Sequence, residues 1–193
     1  MPTNEPMVPL AILHELFEYN YWSQARQFAA CSSVTQEQFS RLLGGSFPSL
    51  RDTLAHLVDG EQYALHRWRG HSRQEIIDAM GFSKVSERLT LWPNQFPTLA
   101  ALKVVAQAVE AEVRGFLEGL TEDQIGRPIS YLDSANRPWV YPLWRMLFHH
   151  VTHQTYHRGQ VTTLLRQLGV QPAKVDFLEA YDHGVGQSQE RVG

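Results

Sequence analysis

The sequence predicts an all-α protein built as a four-helix bundle. Four long stretches place apolar residues three and four positions apart, the spacing that lines one face of an α-helix. Short helical segments and long connections separate these stretches, as in bundles with crossover connections. The chain has 193 residues, of which 43% are hydrophobic and 19% are charged. We therefore expect one domain over residues 1–183 and a mobile tail over residues 184–193.

The first half of the chain contains two of the long helices. An apolar stripe with helical spacing predicts the first over residues 9–30. Residues 35–38 have the sequence TQEQ, a capping box that opens a short helix. Ser49 then caps the second long helix, which ends at Gly70.

The third long helix starts at Thr98 after a long connection. Residues 71–97 are weakly patterned and rich in turn-forming residues, so we expect at most one helical turn there. The helix that follows has a regular apolar stripe, which is typical of a bundle helix. The stripe consists of Leu99, Leu102, Ala106, Val109, Val113 and Phe116. Residues 121–124, with the sequence TEDQ, form a second capping box.

The last part of the chain contains the fourth long helix. Residues 129–141 alternate in polarity and contain turn-forming residues, which allows either a small hairpin or an irregular crossover. The fourth helix begins near Pro142, a favourable first-turn residue, and runs to Leu168. Residues 175–183 add a further short helix.

Composition excludes several classes of protein. The net charge of −3 argues against a dedicated nucleic-acid-binding protein, which would present a strongly basic face. A single cysteine, Cys31, excludes an intramolecular disulfide and a cysteine-based zinc site. No stretch is apolar over the ~18 residues that a membrane span needs. The first ten residues lack the positive charge of a signal peptide, so we expect a cytoplasmic protein.

The fourth helix interrupts its apolar face with histidines. Its expected core positions are Leu143, Met146, His150, His153, His157, Gln160, Leu164 and Leu168. His149 lies close to the same face, because residues four apart are separated by only ~40° around a helix. A buried polar ring without a partner lowers the free energy of unfolding by about 1–3 kcal/mol. Several such rings on one helix face therefore need partners, and one metal ion can be the partner of more than one ring. Two histidines at positions i and i+4 can bind one divalent metal ion.

A third ligand is available on the second helix. His56 lies near the apolar stripe of that helix, which we expect to pack in the same bundle. Three histidine ligands with open coordination positions are typical of a catalytic metal site, since structural sites are closed by four protein ligands. The alternative is that each histidine is a hydrogen-bonded core residue and that no metal binds.

Other polar and aromatic residues surround this predicted site. Glu61 follows His56 on the second helix and is a candidate proton acceptor or a partner that orients an imidazole. The alternative for Glu61 is a surface ion pair with Arg67 or Arg69. Arg158 is expected to point outward or to pair with a carboxylate. Six aromatic residues are candidates to line an apolar mouth over the metal: Tyr63, Trp68, Trp139, Tyr141, Trp144 and Tyr156.

The remaining histidines have no partner at a ligand spacing in the sequence. They are His14, His66, His71 and His183, and no role is assigned to them.

These motifs resemble those of the DinB/YfiT-like family. The similarity lies in residues 149–160, HHVTHQTYHRGQ, and in residues 49–61, SLRDTLAHLVDGE, and it extends from Leu10 to Asp182. The resemblance implies an up-down-down-up bundle, often dimeric, with nickel or zinc held by three histidines.

Carried over by motif position, the resemblance assigns the ligand roles to His56, His153 and His157. His149 and His150 are then neighbours of the site rather than ligands, a distinction that the spacing alone leaves open. We therefore expect a metal-dependent enzyme acting on a small molecule, either a hydrolase or a transferase of low-molecular-weight thiols, as some relatives are. We also expect a homodimer. The alternative functions are a non-catalytic metal-binding or small-ligand-binding bundle and a metal-free interaction bundle.

Overall fold

The computed structural model describes residues 8–84, 88–133 and 135–185. Within these residues the chain forms nine α-helices and one two-stranded sheet. In chain order they are α1 Leu10–Cys31, α2 Gln36–Ser40, α3 Leu50–Trp68, α4 Arg73–Met80, α5 Arg88–Gln95, α6 Leu99–Glu118, α7 Glu122–Ile125, β1 Pro128–Leu132, β2 Pro138–Pro142, α8 Leu143–Gln167 and α9 Phe177–Asp182. In the described ranges no helix has both the length and the apolar character that crossing a membrane requires.

The four long helices form the bundle, and α8 lies between α1 and α3. α8 runs parallel to α1, because Phe17 stacks on His150 while Gln27, further along α1, donates to the carbonyl of Arg158. α8 runs antiparallel to α3, because the early residue Leu57 meets the late residue Gln154, whereas Glu61 meets His150.

α6 completes the bundle beside α3 and α1. It is antiparallel to α1, since Arg114 pairs with Glu18 while Lys103 lies over the ring of Phe28. α3 and α6 therefore run in the same direction, opposite to α1 and α8. The predicted up-down-down-up four-helix bundle is confirmed.

The capping residues predicted from the sequence begin the helices. Thr35 accepts a hydrogen bond from the backbone of Gln38 at the start of α2, and Ser49 and Thr98 cap α3 and α6 in the same way. These side chains satisfy backbone N–H groups that have no partner within the helix. The bounds of the long helices consequently agree with the prediction to within two residues.

The segment after α3 is more helical than predicted. Residues 71–97 were expected to hold at most one helical turn, but they contain α4 and α5, so that prediction is wrong. Ser72 and Glu75 cap each other's backbone groups in a capping box, and Gly81 ends α4 in a left-handed conformation with φ of 72°. Local capping stabilises α4 although its apolar periodicity is weak.

The segment before α8 is a hairpin, which decides between the two predicted alternatives. β1 and β2 pair antiparallel, with Ile129 opposite Tyr141. Arg73 of α4 anchors the turn, because its guanidinium donates to the backbone carbonyl of Leu132 and to the side chain of Asn136. The hairpin is therefore tied to the end of the bundle where α3 passes into α4.

The interior of the bundle is one large apolar cluster with a smaller one beside it. The large cluster includes Phe17, Trp68 and Leu147, which are fully buried. The smaller cluster consists of Tyr63, Ile76, Ile77 and Phe82, and it fixes α4 to the outer side of α3.

The buried face of α8 is wider than the predicted stripe. Met146, His153 and Gln160 are only half-buried, whereas Leu147, Val151, Gln154, Arg158 and Val161 are buried as well. The reason is that α8 packs against both α1 and α3, so it buries two adjoining faces. His153 consequently lies at the edge of the core rather than in its centre.

The predicted tail, residues 184–193, lies outside the described residues except for its first two positions. Of these two, Val185 packs against the large apolar cluster, and its N–H donates to the carbonyl of Ala180 at 3.1 Å.

We predict that the α8 core position Leu147 contributes strongly to stability. Leu147→Ala should lower the free energy of unfolding by about 2–5 kcal/mol, because it leaves a cavity in a fully buried site. The matched control Leu178→Ala changes a leucine that is 69% exposed, and its effect should be within about 0.5 kcal/mol. Urea denaturation measures both values, and equal losses would contradict the packing described.

Candidate metal centre

Three imidazole rings meet where α3 crosses α8. His56 Nε2 lies 3.4 Å from His153 Nε2, and His157 Nε2 lies 3.1 Å from His153 Nε2. One ligand atom from each ring can be chosen so that all three lie within 4.8 Å of one another. We call His56, His153 and His157 the histidine trio. Among the described residues, it is the only group of three or more His, Cys, Asp or Glu side chains close enough to hold one metal ion.

The spacing of the trio fits a shared divalent ion. Two nitrogen atoms each ~2.1 Å from one ion lie ~3.0 Å apart at a right angle and ~3.4 Å apart at the tetrahedral angle. The separations from His153 Nε2 to the other two rings, 3.1 and 3.4 Å, match these values, and the ligand atoms of the third pair lie within 4.8 Å of each other. The ring centroids of His56 and His153 are 5.1 Å apart, and those of His56 and His157 are 4.5 Å apart.

The bundle brings the trio together in two steps. His153 and His157 are four residues apart on α8, so their rings stand on the same side of the helix. His56 joins them because α3 runs antiparallel to α8, as the contact between Leu57 and Gln154 shows. The long-range packing of these two helices therefore creates the site.

Gln160 holds the ring of His157 in one orientation. Its Oε1 atom accepts a hydrogen bond from His157 Nδ1 at 3.0 Å, and its Nε2 atom donates to Ser46 Oγ, also at 3.0 Å. A proton on Nδ1 leaves a lone pair on His157 Nε2, which is the atom that faces the other two rings. The helical spacing predicted Gln160 on the α8 stripe, but nothing in the sequence indicated this role.

The electrostatic surroundings keep His153 neutral at physiological pH. Burial, reinforced by His157, His150 and His149, lowers the pKa of His153 to about 4. Burial and His150 also lower the pKa of His149. Neutral imidazole is the form that binds a metal ion, so the ring is in the required state near neutral pH.

Two of the aromatic residues beside the trio, Phe47 and Trp92, were not predicted from the sequence. Phe47 stacks on His56 with a centroid distance of 4.3 Å, and Trp92 lies 6.1 Å from the same ring. Tyr156, one of the six predicted aromatic residues, is 5.0 Å from His157. Phe47 and Trp92 lie in the loop before α3 and in α5, where the weak patterning offered no signal that they meet the site.

Three of the other five predicted aromatic residues have contacts elsewhere. Trp68 packs in the core against Phe17, Phe116 and His150. Trp139 and Tyr141 stack on each other in the hairpin. The prediction that these three line the site is therefore wrong, because they pack elsewhere.

Glu61 is buried in the interior of the bundle rather than on the surface. It is 1% exposed and accepts a hydrogen bond from the hydroxyl of Tyr21 at 3.0 Å. His150 Nε2 lies 3.3 Å from the same carboxylate oxygen. The alternative of a surface ion pair is wrong, since Arg69 pairs with Glu112 and the carboxylate is turned inward. The imidazole that Glu61 contacts is thus His150, outside the trio.

Arg158 is buried, so the prediction that it points outward is wrong. The residue is 2% exposed, and it donates hydrogen bonds to the side chains of Asn20 and Thr155. Burial lowers its pKa despite the opposing effects of Tyr19 and Glu61. Because α8 buries two adjoining faces, this side chain lies in the contact between α8 and α1 and not in solvent.

His149 and His150 flank the trio without joining it. His150 is buried between Phe17 and Trp68, with its Nε2 atom toward Glu61. His149 is exposed, and its ring centroid is 5.8 Å from that of His153.

Comparison with known proteins agrees with the fold. The chain is 22% identical over 163 residues to protein DinB of Bacillus subtilis, a match that covers 84% of this chain and 90% of the relative. A solved DinB-like protein of B. subtilis, YjoA, superposes with a TM-score of 0.57 at 15% identity and covers 83% of this chain and 97% of that one.

A second solved structure comes with a functional description. YfiT of B. subtilis superposes with a TM-score of 0.53 at 18% identity, covering 88% of this chain and 94% of that one. It is described as a probable metal-dependent hydrolase with an unusual four-helix bundle topology. The sequence model of the DinB family matches residues 1–190 of this chain. On this evidence, the chain belongs to the DinB family.

Proposed function

We propose that the protein is a metal-dependent hydrolase that binds zinc or nickel through His56, His153 and His157. The observation that carries the proposal is the convergence of three imidazoles, in which His153 Nε2 lies 3.4 Å from His56 Nε2 and 3.1 Å from His157 Nε2. The description of YfiT as a probable metal-dependent hydrolase supports the same reaction class. Zinc and nickel are proposed because both accept imidazole ligands readily.

The donor set suits a catalytic ion. Three neutral imidazoles leave the full charge of a divalent cation in place and leave coordination positions for small molecules. When bound, such an ion supplies Lewis-acid activation of a water molecule or a substrate group.

The protein's own residues prepare this site. Gln160 orients the ring of His157 through the bond to Nδ1. Phe47 and Trp92 cover the side of His56 and exclude water there, which strengthens electrostatic interactions in the site. We propose Glu61 as a positioning residue that acts through His150, because the two side chains are buried together.

Thiol transfer is the second candidate reaction. It is supported by the apolar aromatic side of the site, and by the affinity that thiolates have for borderline ions such as zinc. A low-molecular-weight thiol would then be the small-molecule substrate. The single domain over residues 1–183, the homodimer and the cytoplasmic location stay predictions.

We predict that metal retention depends on His153. Protein purified without a histidine tag, loaded with Zn²⁺ and dialysed should keep about one ion per chain, whereas His153→Ala should keep close to none. His149→Ala, which removes a neighbouring imidazole of the same helix, should retain the ion. Elemental analysis gives the ratios, and equal retention in wild type and His153→Ala would refute the proposed ligand.

We predict that Gln160 tunes the affinity for the ion. Gln160→Leu removes the acceptor for His157 Nδ1 and should weaken Zn²⁺ binding by about 10–100-fold, as is usual when such a partner is lost. Gln167→Leu makes the same substitution at the exposed end of α8 and should leave the affinity unchanged. Competition with a chromogenic chelator measures both affinities, and the proposed role fails if the two variants bind alike.

We predict that catalysis, whether hydrolysis or thiol transfer, requires both the ion and the trio. The Zn²⁺-loaded or Ni²⁺-loaded protein should hydrolyse p-nitrophenyl esters or transfer glutathione to an aryl chloride faster than the free metal does. His153→Ala should reduce that reaction to the rate of free metal, while His149→Ala should reduce it less. If neither reaction exceeds the rate of free metal in any protein, the non-catalytic metal-binding bundle becomes the better account.

A further inference from the structure

Two histidines that received no role in the sequence analysis face each other at the end of α3. His66 Nδ1 lies 2.9 Å from His71 Nδ1, and their ring centroids are 5.1 Å apart. The sequence offers neither residue a partner at a ligand spacing, yet the structure brings the two rings together. We call them the His66–His71 pair. A spacing of five does not align side chains on a helix, so the sequence pattern gave no sign of this contact.

A Schellman motif creates the contact. The backbone N–H of His71 donates to the carbonyl of His66 at 3.1 Å, and that of Gly70 donates to the carbonyl of Arg67 at 2.9 Å. Gly70 has a φ of 86°, the left-handed conformation that this helix ending requires. In the motif the side chains at the positions of His66 and His71 usually make an apolar contact. Here two imidazoles occupy those positions, so the backbone itself sets their separation.

The end of α3 favours a cation through its carbonyl groups, and the opposing charge of Arg69 is paired with Glu112 at 3.2 Å. The carbonyl groups at the C-terminus of a helix carry partial negative charge, which favours cations within the last turn. Both imidazoles are half-buried and so within reach of solvent ions. Burial, together with His71 and Arg69, lowers the pKa of His66, while Glu112 acts in the opposite direction. A neutral His66 ring has a lone pair to offer.

We propose that the His66–His71 pair is a second binding site for a borderline divalent cation such as Zn²⁺, Ni²⁺ or Cu²⁺. The separation of 2.9 Å between the two Nδ1 atoms is close to the ~3.0 Å expected for adjacent ligands at a right angle. The pair supplies two protein ligands, and water fills the remaining coordination positions of the ion. Because the trio supplies three protein ligands, binding at the pair is weaker.

The second site is separate from the trio and has a structural consequence. His56 and His66 are ten residues apart on α3, which corresponds to ~15 Å along the helix axis, too far for a shared ion. His71 directly precedes Ser72, the residue that caps α4. An ion at the pair therefore joins the end of α3 to the start of α4.

The test is calorimetric titration of metal-stripped, tag-free protein with Zn²⁺. Wild type should bind about two ions per chain in two classes of different affinity. His71→Leu should lose only the weaker class, because leucine removes the ligand but restores the usual apolar contact of the motif. His153→Ala should lose only the tighter class. His183→Leu, the same substitution outside both groups, should keep both classes.

Each outcome of this titration decides between the alternatives. If His71→Leu keeps the weaker class, or if wild type shows one class that His71→Leu leaves intact, the pair binds no metal and its contact is only a hydrogen bond. If wild type shows one class that disappears in His71→Leu but persists in His153→Ala, the pair is a metal site and the proposed trio is not. Circular dichroism and the melting temperature confirm that His71→Leu remains folded.

Discussion

The antiparallel contact between α3 and α8 is the interaction on which the rest of the structure depends. It brings three imidazole nitrogens to separations of 3.1 and 3.4 Å at the edge of the core. Lone pairs at such distances repel one another unless a proton or a cation lies between them. Packing on both faces of α8 fixes the helix in place, and the hydrogen bond from His157 Nδ1 to Gln160 holds one of the three rings.

Several buried polar groups join α8 to its two neighbours, α1 and α3. Glu61, Tyr21 and His150 form one buried hydrogen-bonded group between α1, α3 and α8. Arg158 joins α8 to α1 through Asn20. Because a buried polar group without a partner is costly, these contacts favour one rotational setting of α8 over its alternatives. That setting directs His153 and His157 toward α3.

The sequence was sufficient for the bundle and for part of the site. Apolar periodicity and capping residues such as Ser49 predicted the long helices, since both signals are local. The i, i+4 spacing of His153 and His157 was equally local. His56 was predicted as the third member from its place near the apolar stripe of the second helix, whereas setting His149 and His150 aside required the family resemblance. Phe47 and Trp92 could not be predicted, since only tertiary packing brings them to His56.

The proposed metal-dependent function requires that one ion binds between the three rings. Anomalous X-ray diffraction from crystals grown with Zn²⁺ or Ni²⁺ answers this directly, because it locates the metal independently of any assay. The account predicts a peak ~2.1 Å from the Nε2 atoms of His56, His153 and His157 together. A well-ordered peak that contacts fewer than two of these rings, or none at all in metal-soaked crystals, would contradict it.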